Sequence, residues 1–204
     1  LYDFANSAFT TIIITFIFST YFAKQIAPNP ILGQSYWGWT IGTTGVIVAI
    51  AGPLLGSIAD KKNYTEFFIK LFTIICISLT CLLWFSKPSE EYLFYTLLIV
   101  GLANIFYELS LIFYNSTLKK ISEDKSLGKS SGYSFALGYI GGILTLIICI
   151  KIFIDNDTLP FGLSKDNSEN IRATSFLVAF WYLIFSLPFL LNLKKNDYDK
   201  IDKL

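Results

Sequence analysis

Long apolar runs broken by short polar stretches set the pattern of this chain. A membrane helix takes about 20 mostly apolar residues, and six runs of roughly that length follow one another here. No charge falls between Phe4 and Ala23, which predicts a first helix over residues 4–25. Ala27–Ser35 holds Pro28, Pro30 and Gly33, a cluster that reads as a turn, and a second helix is expected over 36–58. The third, 67–87, is shorter, with Lys70 and Lys87 flanking its uncharged stretch and able to snorkel to the interfaces. The fourth, 92–118, carries a lone Glu108; the fifth covers 130–153. After a polar stretch, Asp155–Arg172, a sixth helix is expected over 173–193, with the lysine-rich residues 194–204 as a linker. The first run is too long, and lacks the basic start, for a cleaved signal peptide. The fold class expected is an all-α integral membrane bundle of six transmembrane helices.

Composition agrees. Apolar residues make up 53% of the 204 and charged residues 15%, where a soluble domain carries about 25% charged; mean hydropathy is +0.56. The chain has no histidine, so a zinc site, a histidine-based triad or a switch near neutral pH has no support. A net charge of +1 gives no general attraction to nucleic acid. Cys76, Cys81 and Cys149 all sit inside apolar runs and read as small packing residues rather than a disulfide framework. No metal, cofactor or enzymatic activity is expected. The chain begins at Leu1 and contains no Met, so it reads as a piece of a longer protein.

Orientation follows the loop cations. Lys61, Lys62, Lys70, Lys119, Lys120, Lys125 and Lys129, together with the tail lysines, fall on one side; Lys24, Lys87, Lys151, Lys165 and Arg172 fall on the other. The bias places both ends of the chain in the cytoplasm.

Close approach of membrane helices depends on small residues four positions apart. The second run offers Gly38/Gly42, Gly45/Ala49 and Gly52/Gly56; the fifth offers Ser130, Ser134, Gly138 and Gly142. These two helices are therefore expected in the bundle interior, and the third and sixth toward lipid. Trp37, Trp39, Trp84 and Trp181 read as interfacial, near span ends.

Glu108 is the main chemical candidate. It lies about ten residues short of Lys119, ~15 Å at ~1.5 Å per residue, where a carboxylate costs ~2.5 kcal/mol or more. None of the spans supplies it with a basic partner. Such a group favours its neutral acid form and can carry a proton; the alternative is a structural acid bonded to a neighbouring helix. Helical spacing sets Gly101, Asn104, Glu108 and Asn115 on one face with Tyr107 adjacent, a polar stripe suited to a cavity. Asp3 reads either as an N-cap accepting the amide of Asn6 or, with Asn6, Ser7 and Thr10, as cavity lining. Tyr139 is a further candidate contact.

One superfamily signature and three further blocks carry a family resemblance. Gly56-x-x-x-Asp60-Lys61, between the second and third helices, resembles the loop signature of the major facilitator superfamily. Leu1-Tyr2-Asp3-Phe4-Ala5-Asn6-Ser7-Ala8-Phe9 resembles the first helix of one subfamily, which holds bacterial transporters and the fungal vacuolar effluxers linked to autophagy. Phe113-Tyr114-Asn115 and Ser131–Gly142 are similar to that subfamily too. The chain departs from the superfamily pattern after Asp60-Lys61, where Lys62-Asn63-Tyr64-Thr65 stands in place of a glycine and paired arginines.

The resemblance implies the N-terminal half of a twelve-helix protein, with the substrate cavity completed by a C-terminal six-helix half. It implies a secondary active transporter of the bacterial cell membrane, moving a small solute, amino acids among the candidates, by alternating access, with Glu108 coupling protons. Asp60 would then latch the second half through helix N-terminal amides, aided by Gly52 and Gly56; otherwise it is a solvated loop charge. A scaffold or receptor that transports nothing is the rival reading.

Overall fold

The computed structural model describes residues 1–121, 127–156 and 158–193; the expected linker over 194–204 lies outside them. The described residues form six helices long and apolar enough to cross a membrane. We label them α1 (Tyr2–Ile26), α2 (Pro30–Lys62), α3 (Thr65–Leu82, ending in a tighter turn to Phe85), α4 (Leu93–Ile121), α5 (Leu127–Cys149, running on to Ile154) and α6 (Glu169–Asn192). In hydrocarbon every backbone amide must find its partner inside the segment, so the apolar runs have no other conformation open to them.

Two helix starts differ from expectation. α2 starts at Pro30, six residues earlier than the turn cluster suggested. Asn29 caps it, accepting the amide of Leu32 at 2.9 Å, and Pro30 sits at the first helical position, where its missing N–H costs nothing. Gly33 is helical: a Cβ there would lie 2.7 Å from Ala23 Cα and 2.8 Å from Ala27 Cβ, so glycine lets α2 lie against the end of α1. α6 begins at Glu169, four residues before Ala173, and takes Arg172 into its first turns.

α1 is not a uniform helix. Phe9–Phe16 and Phe22–Ile26 wind as π-helix, as does Ile150–Ile154 at the end of α5. Such stretches are uncommon and gather at functional sites.

α1 packs along α5 and α6, α3 along α4 and α6, and α2 along α4. The glycine-rich α2 is not interior. Only 17% of its most apolar window is buried, against 56% for α4. At Gly38, Gly42, Gly45 and Gly56 an added methyl group would meet nothing within 4 Å, and only Gly33 and Gly52 are packed. A small-residue row permits close approach without saying which helix makes it. α5 does use its row: Gly138, Gly141 and Gly142 lie against Asp3–Thr11 of α1. α3 and α6, expected toward lipid, each bury one face; Ile69, Phe72 and Cys76 of α3 and Val178, Ala179 and Tyr182 of α6 are in the core.

Lipid is as apolar as leucine, so packing and hydrogen bonds hold such helices together. One buried cluster ties four of them. Tyr2 Oη on α1 lies 2.7 Å from Thr73 Oγ1 on α3 and 3.1 Å from Tyr182 Oη on α6, and donates to Ser110 Oγ on α4 at 3.1 Å. The Tyr2 ring packs on Tyr114 and Phe189, with centroids 4.6 and 5.0 Å away. Tyr2→Phe leaves the other hydroxyls short of a partner and is expected to cost about 1–3 kcal/mol, read as a lower unfolding midpoint in detergent; an unchanged midpoint would show the cluster to be energetically idle.

Two tryptophans depart from the interfacial expectation. Trp37 is buried and donates its indole N–H to the Ile14 carbonyl, in the π stretch of α1, at 3.1 Å. Trp181 sits near the middle of α6 and donates to the Phe4 carbonyl at 3.2 Å. An indole inside a helical membrane bundle needs an acceptor, and α1 supplies both.

Candidate functional site

A cavity of about 600 Å³ lies between α1, α4 and α5. Its wall on α1 is the row Asp3, Asn6, Ser7 and Thr10, with Thr11 and Phe16 added by the π stretch. α4 contributes Tyr107, Leu111 and Asn115, one turn apart; α5 contributes Ser131, Phe135, Gly138 and Tyr139, then Ile143 and Leu146 further along the helix.

Asp3 does not cap α1. It stands inside the helix, and its Oδ2 accepts a hydrogen bond from Tyr114 Oη at 3.1 Å. The cap reading fails because Leu1 occupies the cap position and Asp3 is already helical, which turns its side chain out toward α4. Ser7 Oγ donates back to the Asp3 carbonyl at 2.7 Å, and Thr10 Oγ1 to the Ser7 carbonyl at 3.1 Å. Asn6 is 3% exposed, and its Nδ2 has no acceptor. Gly138 brings α5 onto this row: a Cβ there would fall 2.8 Å from Ser7 Oγ and 3.4 Å from Asp3 Cβ. Gly142, a turn further along, does the same beside Thr11. Tyr139 is exposed on the rim, edge-on to Phe135 with centroids 4.9 Å apart.

The polar stripe expected on α4 divides between two neighbours. Tyr107 and Asn115 line the cavity. Gly101 and Asn104 face α2 instead: Gly101 lies against Thr40 and Thr44, and Asn104 Nδ2 donates to Thr44 Oγ1 at 2.8 Å. Ile112, lower on the same face, meets Gly52. Glu108 stands between Asn104 and Ile112 in this row, so it borders α2 and is not part of the cavity wall. It is half-buried, and among the described residues it has no hydrogen bond or ion pair. Asp60 is exposed in the last turn of α2, also without a partner among the described residues. Gly56, one turn before it, is open.

Sequence reasoning missed a second polar centre, at the opposite end of the bundle. Arg172, grouped by sequence with the loop charges, is buried. Its Nη1 donates to the Trp84 carbonyl at 2.7 Å and its Nε to the Asn167 carbonyl at 3.3 Å, while Nη2 lies 3.8 Å from Glu169. The guanidinium stacks over the Trp84 ring at 4.7 Å. Nearby, Tyr21 Oη donates to the Ser86 carbonyl at 2.6 Å and Ser168 Oγ to Gln25 Oε1. The Glu169-x-x-Arg172 spacing at a helix start was the one available signal. Among the described residues no group of His, Cys, Asp or Glu is placed to hold a metal.

Six membrane-length helices among the described residues, three of them walling a cavity with polar lining, define a multi-pass integral membrane protein. The family model described as "Vacuole effluxer Atg22 like" matches residues 23–131 and 119–204. The chain belongs to this family, the branch of the major facilitator superfamily that its three sequence blocks resemble. The "Uncharacterized MFS-type transporter YxiO" of Bacillus subtilis (strain 168) is 29% identical over 209 residues, covering 98% of this chain and 46% of that protein. The chain thus spans about half the length of the curated relative it matches. No solved structure matches.

Proposed function

We propose that these six helices are the N-terminal half of a secondary active transporter of the bacterial cell membrane, with both ends of this half cytoplasmic. A small solute binds in the cavity between α1, α4 and α5. A C-terminal six-helix half of the same polypeptide closes over it, and the two halves rock to expose the site to either side. The observation that carries the reading is the cavity itself: a polar pocket walled by Asp3, Asn6 and Tyr107 has no packing value in a bilayer protein. The uncovered glycine row of α2 supports it as a face for the second half, and Asp60 at the end of that face is the candidate latch.

Glu108 is the proposed proton-coupling group. Unpartnered acids inside a span mark ion pathways by default, and its place beside the cavity wall lets it sense occupancy without touching solute. The test is uptake by the full-length protein in vesicles under an imposed pH gradient. Glu108→Gln is expected to remove about tenfold or more of the gradient-driven uptake, a loss of ~1.4 kcal/mol or more of coupling, while gradient-free exchange continues. Gradient-driven uptake equal to wild type would end the coupling role, and a protein that moves no solute in either mode would favour the scaffold or receptor reading.

A further inference from the structure

An apolar groove of about 610 Å³ lies on the flank formed by α3 and α6, at the end of the bundle that holds Arg172. It shares no residue with the cavity between α1, α4 and α5. Ile77, Cys81 and Trp84 repeat along one face of α3 and its closing turn, and Phe176, Phe180 and Leu183 along one face of α6, the spacing of an apolar stripe. No charged, hydroxyl or amide side chain lines the groove. Polar bonds outside it fix its walls. Arg172 stacks on the Trp84 ring at 4.7 Å and donates to the Trp84 carbonyl at 2.7 Å, and that ring packs on Phe176 with centroids 5.3 Å apart. Asn170 Nδ2 donates at 2.9 Å to the carbonyl of Phe153, the residue that the end of α5 adds to the groove. Closing the space by moving Trp84 or Phe153 would break these bonds. Water finds no polar partner there, and close-packed proteins leave few voids of this size, so the groove calls for an apolar occupant. Its surroundings say which. Phe176 and Phe180 belong to an exposed row that continues down α6 through Leu187 and Leu191, the face of a membrane-length helix that meets hydrocarbon. Phe161, also lining the groove, is 95% exposed, and its φ of 61° is a backbone conformation that side chains disfavour. A large ring turned outward on so constrained a turn marks contact with something beyond the chain.

We propose that this groove holds one acyl chain of a bilayer lipid, seated between α3 and α6 with Phe161 against it. Hydrocarbon is the apolar material that the six spans bring to this flank, and its methylenes gain dispersion contacts that an empty groove forfeits. With no charged or hydrogen-bonding side chain in the wall, the chain and not the headgroup carries recognition, so lipids of different headgroup bind alike. The seated chain joins α3, α6 and the turn at Pro160–Gly162 into one surface. The inference stands on the membrane-spanning fold and is independent of transport.

The experiment places the full-length protein in lipid nanodiscs with a trace of phosphatidylcholine that carries a diazirine midway along one acyl chain. After irradiation the cross-linked residues are mapped by mass spectrometry. Leu82, exposed at the same level of α3 but outside the groove, reports passing lipid. Groove residues are expected to carry about tenfold more label than Leu82, the ratio that a preference of ~1.4 kcal/mol gives. Leu177→Trp, which sets a larger ring in the groove from a half-buried wall position, is expected to bring the groove down to the level of Leu82. Phe161→Gly removes the outward ring at a position whose backbone suits glycine. It is expected to lower the ratio with no fall in the unfolding midpoint, which separates lost lipid from lost fold if the tryptophan variant does not fold. The same probe with a phosphatidylglycerol headgroup is expected to give the wild-type pattern. Groove label no higher than Leu82 would overturn the inference, and its absence there would mean that the second half or another copy covers the flank. A wild-type ratio in both variants, or a ratio that follows the headgroup, would overturn it equally.

Discussion

Gly141→Val is expected to drive α1 and α5 apart and to lose the cavity with them. A Cβ at this position would stand 3.0 Å from Phe4 Cα and closer still to the Phe4 carbonyl oxygen. Backbone cannot swing aside as a side-chain tip can. Phe4 is also held from the other side: its carbonyl accepts the Trp181 indole at 3.2 Å, and its ring packs on Trp181 and Phe185 with centroids 5.2 and 4.9 Å away. The helix must therefore move as a unit, taking Asp3 and Asn6, which lie on either side of Phe4, out of register with α5. Overpacking of this kind costs about 1–3 kcal/mol and sometimes more. A valine with two branches against main chain belongs at the upper end, and alanine below it. Unfolding midpoints in detergent for the glycine, alanine and valine proteins should fall in that order. A valine protein that melts as wild type would mean that the α1–α5 contact is looser than these distances require.

Arg172→Ala is the second change with a large expected effect, and it acts at the other end. The guanidinium fills a site formed by the Trp84 carbonyl and ring, the Asn167 carbonyl and Glu169. A hydrogen bond to a charged group is worth about 1.5–3 kcal/mol net, and the cation over the indole adds ~0.5–2 kcal/mol. Their removal also strands the Trp84 carbonyl. We expect a loss of about 3 kcal/mol or more. Lysine recovers a fraction of it, since an ammonium makes point contacts where the guanidinium makes a planar fork. The 158–168 segment is anchored through Asn167 and through the Ser168–Gln25 bond, so it should be cut faster by protease in the alanine variant. Cleavage at the wild-type rate would show that Arg172 holds nothing there.

Much of the architecture could be read from the chain because hydrocarbon leaves few options. Phe4–Ala23 without a charge had to be a helix, and lysines mark where spans stop. What failed were the places where one residue type serves two purposes. Pro30 and Gly33 signal a turn in isolation; here one starts a helix and the other lets it touch α1. Trp181 has the preferences of the interface until an acceptor such as the Phe4 carbonyl is offered inside the bundle. Arg172 resembles a loop cation because the carbonyl that receives its Nη1 lies far away in sequence, at Trp84.

The cavity shows the same division. The row Asp3, Asn6, Ser7, Thr10 was legible from helical spacing, and the structure keeps it together on one wall. On α4 the spacing does give a stripe, yet a stripe on a helical wheel does not say where one neighbour ends and the next begins. Asn104 and Glu108 fall to the α2 side, Tyr107 and Asn115 to the cavity. The missing information was the position of α2 and α5 around α4, which no single helix encodes. The glycines of α5 found their partner in α1, while those of α2 found hardly any in this bundle.

The π winding of Phe9–Phe16 has a consequence for anyone comparing this protein with its relatives. A π turn takes in an extra residue for the same angular sweep, so Tyr2–Ala8 is rotated relative to where an unbroken α-helix would carry it from Ile17. Deleting a single residue from this stretch would let it relax to ordinary winding with Asp3 and Asn6 left facing nearly as they do now, because the π turn had already absorbed the extra residue. The winding over these eight positions therefore acts as a buffer, letting chain length change without turning the polar row away from α4. A relative one residue shorter there would present the same polar row from an unbroken α-helix.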